Sequence, residues 1–217
     1  KKIKNIQFDF FYLFREIKNE SSIRSNEKNV TSEFSLLPFE QVINIHLPRN
    51  FYINFASYFK MDVHKDNFKS FRNLLNQTYM FRKFEENIDI NEYSSFIVLR
   101  DDVIFFQYGN LLNLINDSQK GYVTSIWDWE GGVHERFYMC PKQIFYKLTF
   151  KYEKLRSLHL EKKKVNPFYY CAEFITLKIL KDHKFKIYPH NIKTKRVRKG
   201  FVMVEEKYRI RLHDPFE

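Results

Sequence analysis

Ser95-Phe-Ile-Val-Leu-Arg-Asp-Asp-Val-Ile-Phe-Phe106 is the stretch on which the fold turns. Ser95–Leu99 is a short run of aromatic and β-branched residues and predicts a buried strand. Arg100, Asp101 and Asp102 break the apolar character abruptly, and Val103–Phe106 restores it. Outward from this core, Tyr122–Ile126 predicts the next strand. On the N-terminal side, Phe68, Phe71, Leu75 and Tyr79 recur at helical spacing. Asp66 is a natural N-cap for that helix, which is expected to run to about Glu86.

On the C-terminal side, Pro141 suits a first helical turn, and Ile144, Phe145, Leu148, Tyr152 and Leu155 continue that helix. Asn166-Pro167 opens another, carrying Cys171, Phe174, Ile175 and Ile179. Phe185–Pro189 predicts a strand, and Phe201–Val204 with Tyr208–Leu212 a terminal pair. Near the start, Ile6–Phe14 and Val42–Ile45 read as strands, separated by a polar loop over Asn19–Ser35. Helices thus alternate with short apolar strands. The expected class is α/β, a sandwich with a mostly parallel central sheet flanked by helices. No internal repeat or low-complexity linker divides the chain, so residues 1–217 are expected to form a single domain. In such sheets ligands lie beyond the carboxyl ends of strands, where Arg100-Asp101-Asp102 and the segment after Ile126 fall.

Composition narrows the function. The chain has 217 residues, 44% of them apolar and 29% charged, and can bury roughly 70% of its unfolded surface without staples. It has no apolar run of ~18 residues and no leader-like N-terminus, so no transmembrane segment is expected. Two cysteines are too few for a disulfide framework or a four-cysteine zinc site, and they fit a reducing, cytoplasmic setting. The net charge of +11 and the 18% aromatic content invite a nucleic-acid reading. Most rings, however, fall in apolar runs such as Phe8–Phe14, as core residues do, and AT-rich coding accounts for much of the Lys, Asn, Ile, Phe and Tyr. Gly-x-Gly-x-x-Gly, Gly-x-Ser-x-Gly and P-loop patterns are absent, against common dinucleotide, hydrolase and ATPase classes.

Three constellations can carry chemistry. Asp101 and Asp102 are suited to a hard divalent cation, and Arg100 to a phosphate; an ordinary solvated turn is the plain alternative. Trp127-Asp-Trp-Glu-Gly-Gly-Val-His-Glu-Arg136 gathers both tryptophans and two of the five glycines beside Asp128, Glu130 and Glu135. Trp127 and Trp129 could stack on a sugar, Gly131 and Gly132 let backbone approach it, and Glu135 or Asp128 could act as a general base. The alternative is a Gly-Gly hairpin with core tryptophans. Lys193-Thr-Lys-Arg-Val-Arg-Lys199 could bind phosphate, nucleic acid or an anionic membrane, with Arg196 and Arg198 just before a strand; Lys162–Lys164 reads as solvated surface.

The order of these segments resembles the small GT-A-type (Rossmann-like) glycosyltransferases, such as those of bacterial surface-polysaccharide clusters and of large DNA viruses. Tyr93–Phe106, Trp127–Phe145 and Pro167–Arg198, roughly half the chain, carry the likeness. Trp127-Asp-Trp-Glu-Gly-Gly is also similar to the Trp-Gly-Trp-Gly-Gly-Glu segment of galactosyltransferases. The resemblance implies that Arg100-x-Asp102 stands where the family has Asp-x-Asp, the first acid being Arg100 here. Asp102 and Asp101 would then hold Mn²⁺ or Mg²⁺ and, with Arg100, Arg196 and Arg198, the donor diphosphate. Glu135 would match the carboxylate after Gly-Gly. Glu173 resembles an acid on a late helix, and Trp127, Trp129, Gly131, Gly132 and Arg136 would face the acceptor sugar. The family usually opens with a strand and a Gly-x-Arg loop that meets the nucleotide; Lys1 begins at the next segment, so either that strand is expected to be missing or the nucleotide to be held differently.

The leading expectation is sugar transfer from a nucleotide-sugar donor to a glycan or glycoprotein acceptor, in the cytoplasm (the host's, for a viral protein). The alternatives are a basic nucleic-acid-binding module and a non-catalytic carbohydrate-binding domain.

Overall fold

The computed structural model describes residues 9, 11–14, 41–58, 65–100, 103–107, 109–128, 132–160, 172–198, 202–203 and 209–210. They fall into two compact units, divided between Arg49 and Asn50. In the first, β1 (Phe11–Phe14) pairs in parallel with β2 (Gln41–Asn44), Phe11 opposite Gln41. These are the two strands expected near the N-terminus, the first within a longer predicted run.

The second unit runs α1 (Lys69–Asn87), β3 (Ser95–Leu99), β4 (Val103–Gln107), α2 (Leu111–Ser118), β5 (Tyr122–Ser125) and β6 (Trp127–Asp128). It continues with β7 (Phe137–Pro141), α3 (Lys142–Thr149), α4 (Lys151–Leu160) and α5 (Ala172–Asp182). The last elements are β8 (Ile187–His190), β9 (Lys193–Arg198), β10 (Val202–Met203) and β11 (Arg209–Ile210). The class is therefore mixed α/β.

Helix α1 begins at Phe68, whose backbone is left-handed, with no side-chain cap of its own. Asp66 still anchors the start from two residues upstream: its carboxylate accepts from the backbone N and the hydroxyl of Ser70. Phe71, Leu74, Leu75, Thr78 and Phe84 form the buried face. Phe84 meets Phe96 of β3 and Phe145 of α3, and the latter two rings stack at 4.0 Å. The predicted helix from Pro141 through Leu155 breaks at Phe150, where α4 begins anew.

The expectation of a mostly parallel sheet is overturned. The principal sheet has the order β3-β7-β5-β8, and only β5 and β8 pair in parallel. A parallel neighbour needs a crossover of a dozen or more residues, usually helical. Among the described residues the chain between β5 and β8 carries three helices, whereas β5 returns to β7 through the short segment 126–136. Strand β7 itself escaped prediction, because its last residue, Pro141, was read as a first helical turn; Pro141 both ends β7 and caps α3. Strand β3, expected to be buried, is instead an edge: Phe96 is covered, while Ile97 and Leu99 are 41% and 57% exposed. β4 joins β9 and β10 in a separate antiparallel sheet. The expected terminal pair does not form either, since β10 pairs with β9 and β11 with β6.

Because β7 inverts between β3 and β5, the strands β3, β5 and β8 all run in one direction. Helices cover both faces of this sheet. Leu114 of α2 packs with Val123, Phe137, Met139 and Ile192, while Phe145 of α3 meets the opposite face through Phe96. Successive strand residues point to opposite faces, so Phe137 and Tyr138 serve the two layers in turn.

Candidate functional site at the carboxyl edge of the sheet

The common direction of β3, β5 and β8 brings their carboxyl ends to one edge, and β7 enters from that same edge. There the sequence candidates begin to meet. The backbone N of Arg100, just beyond β3, donates to the carbonyl of Arg136, just before β7, at 3.1 Å. Arg196 of β9 lies opposite Val103 of β4, the residue that follows Asp102 in the chain. Arg100 and Arg136 are thus backbone neighbours, and Val103, opposite Arg196, lies at most ~10 Å along the chain from Arg100.

Residues 132–136 are held against this edge by their main chain. The backbone N of Val133 donates to the Glu173 carbonyl at 3.2 Å. The Thr124 hydroxyl donates to the His134 carbonyl at 2.8 Å. Gly132 lies so close to α5 that a β-carbon there would sit 2.5 Å from the Glu173 backbone, which only glycine avoids. The start of α5 thus packs closely on Gly132 through the Glu173 main chain.

Glu135 occupies the inside of this arrangement and is 5% exposed. Its Oε1 accepts from Lys151 Nζ at 2.5 Å and from the Thr176 hydroxyl. Lys151 is 1% exposed and lies over the rings of Phe81 and Tyr138. Among the described residues Glu135 Oε2, Tyr122 Oη and Tyr138 Oη have no hydrogen-bond partner. Burial, and then the Glu135 charge, pushes both phenols well above their usual range, so they remain protonated. A general base must reach its acceptor hydroxyl directly or through one water. Lys151 and Thr176 take Oε1, so Oε2 is the atom left for the role expected of Glu135.

His134 is buried too. Burial, followed by the charges of Arg136 and Arg100, lowers its pKa to about 4, so the ring is neutral at pH 7. Both arginine charges therefore act on this one ring.

The remaining candidates are spread more widely. Trp127 and Asp128 form β6, paired with Ile210 and Arg209 of β11. Arg198 lies opposite Val202, and the basic run around it is the middle strand of a sheet. Asp101, Asp102, Trp129, Glu130 and Gly131 lie outside the described residues, as do Asn166-Pro167, Lys162–Lys164 and Cys171. Among the described residues no group of three or more His, Cys, Asp or Glu side chains could hold a metal ion. Cys140 is fully buried, which pushes its thiol up and away from nucleophile chemistry.

Sequence reasoning missed Lys151, Thr176 and a second acid–base pair. His190, the last residue of β8, lies with Nε2 3.0 Å from Asp117 Oδ2 of α2. A threonine amid the apolar run Ile175–Leu180 was a readable signal; Lys151, in an amphipathic stretch full of lysines, gave none. His190 and Asp117 stand 73 residues apart, a pairing that only the fold makes.

No protein-family profile, curated protein or solved structure matches the chain. Among the described residues no helix is long and apolar enough to cross a membrane.

Proposed function

We propose that the chain is a glycosyltransferase of the GT-A type, moving a sugar from a nucleotide-diphosphate donor to a hydroxyl of a glycan or glycoprotein. The observation that carries this reading is that Arg100 and Arg136 are backbone neighbours at the carboxyl edge, while Arg196 lies opposite Val103, the residue after Asp102 in the chain. Fixed cations at one edge are suited to the charge that develops on a departing diphosphate. In this reading Arg100 and Arg196, with Arg198, meet the diphosphate. Trp127 and Trp129 stack on a sugar, and Asp128 and Glu135 supply carboxylates on the acceptor side. Mn²⁺ or Mg²⁺, when held by Asp101 and Asp102, would neutralise diphosphate charge. A cytoplasmic location belongs to the same proposal.

A nucleic-acid module draws less support. Rings that would stack on bases are instead packed on one another, as in the Phe96–Phe145 and Tyr122–Tyr138 stacks. Thermal shift with UDP, GDP, their sugar conjugates and oligonucleotides, each with and without Mn²⁺, tests the reading. Stabilisation by a nucleoside diphosphate is expected, about 2.7 kcal/mol at a hundredfold excess over Kd. Stabilisation by oligonucleotides alone would replace this function with the nucleic-acid one. Donor binding without turnover would leave a non-catalytic domain.

A further inference from the structure

We propose that His190, oriented by Asp117, is the base that accepts the acceptor's proton, an assignment that rests on the glycosyltransferase reading above. Its position comes first. β5 and β8 are the parallel pair of the sheet, and His190 lies opposite Ser125 at their shared carboxyl end. Ligands of α/β sheets bind beyond such ends. Two residues past Ser125 is Trp127, a candidate sugar platform, and the Ile126 backbone N donates to the His190 carbonyl at 2.8 Å. Along the same edge, Arg100 follows the end of β3, three strand spacings or about 14 Å from β8.

The chemistry of the pair comes second. Asp117 Oδ2 takes the Nε2–H of His190, so the neutral ring presents Nδ1 as its basic atom. Among the described residues Nδ1 has no side-chain partner. Asp117 Oδ1 lies 3.5 Å from Lys120 Nζ, leaving Oδ2 to the histidine. Among the described residues the charged groups in contact are Asp117 from α2 and, through it, Lys120. The pair is also reachable, with side chains 18% and 24% exposed against 4% for Glu135 and 1% for Lys151. It is held on rigid supports as well: Asn110 caps α2 by accepting from the backbone N of Leu112 and Asn113, and Leu114 anchors the helix in the core.

In the transfer step the acceptor oxygen bonds to the anomeric carbon while its proton passes to Nδ1. The bond from that carbon to the diphosphate oxygen breaks, and its electron pair leaves with the nucleoside diphosphate toward Arg100 and Arg196. Asp117 stabilises the imidazolium, which then returns its proton to solvent.

Turnover of UDP-glucose, UDP-galactose, UDP-N-acetylglucosamine and GDP-mannose, with Mn²⁺ and with water or free sugars as acceptors, tests this. Nucleoside diphosphate release would be followed across pH in the wild type and in H190Q, D117N and E135Q. The wild type is expected to lose rate at acid pH, where the base takes up a proton. H190Q should lower kcat by about 10²–10⁴-fold with donor Kd unchanged, and remove that acid limb. D117N should lower kcat and shift the limb. An H190Q rate within threefold of wild type, or a wild-type profile without the limb, overturns the assignment even where H190Q folds poorly. An E135Q loss with the limb intact would return the base to Glu135. Absence of binding and turnover with every donor would instead defeat the glycosyltransferase reading itself.

Discussion

Two acid–base pairs stand near one edge of the same sheet, and the fold treats them in opposite ways. Lys151–Glu135 is sealed beneath residues 132–136, with Thr176 completing the contact and both side chains under 5% exposed. His190–Asp117 lies half-open on the other face, beside the α2 helix. Water is what separates them. A sealed charge pair has lost hydration that only its partner restores, so its members are fixed in place. A half-open pair keeps access to solvent and ligand, and so remains free to exchange a proton. A charged residue beside a strand end therefore signals chemistry only once its exposure is known.

The sharpest way to break this comparison is to open the sealed pair. K151M leaves Glu135 charged and buried without a cation, an expected loss of about 3–5 kcal/mol read by urea denaturation at pH 7. K151M/E135L should recover most of it, because a buried pair replaced by apolar side chains is often neutral or better. A K151M loss below about 1 kcal/mol would mean that the pair is not sealed.

A smaller effect is expected from His134, which shares that buried segment. Its pKa is lowered to about 4 from 6.5, so the unfolded chain binds its proton first as pH falls. The contribution of the neutral ring is fully present above pH 6.5 and is lost progressively down to pH 4. At about 1.4 kcal/mol per pH unit, that is roughly 3 kcal/mol. Denaturation at pH 7 and pH 4.5 should show a smaller decline in H134Q than in the wild type; equal declines would show His134 to be solvated.

The smallest effect belongs to the open pair. H190Q and D117N are each expected to change stability by less than about 1 kcal/mol, the range of partly exposed ion pairs. Large activity losses on an unchanged denaturation curve would sharpen the contrast with K151M. A destabilisation approaching that of K151M would place both pairs in the structural class.

Much of the secondary structure was legible. The spacing of Phe71, Leu75 and Tyr79 gave α1, Asp66 its anchor, and Ser95–Leu99 and Tyr122–Ile126 gave β3 and β5. Periodicity reports such elements because each depends on residues close in sequence. It failed at β7, whose last residue, Pro141, also suits the first turn of the helix that follows. The candidate site was legible only in part. Arg100, Gly132, Glu135, Arg136 and Glu173 were all singled out and do come close together, but Lys151, Thr176, Asp117 and His190 were not.

By itself, then, the sequence determined which segments are helical or extended and which residues carry charge near strand ends, since local spacing and residue type suffice for both. Strand order was decided by tertiary structure alone. The short return from β5 forces β7 to run antiparallel, and three helices let β8 lie parallel to β5. Exposure was decided there too, and with it the division between a carboxylate sealed by Lys151 and a histidine left open beside Asp117. That division depends on which distant residues the packing brings together, and burial is a property of the packed fold.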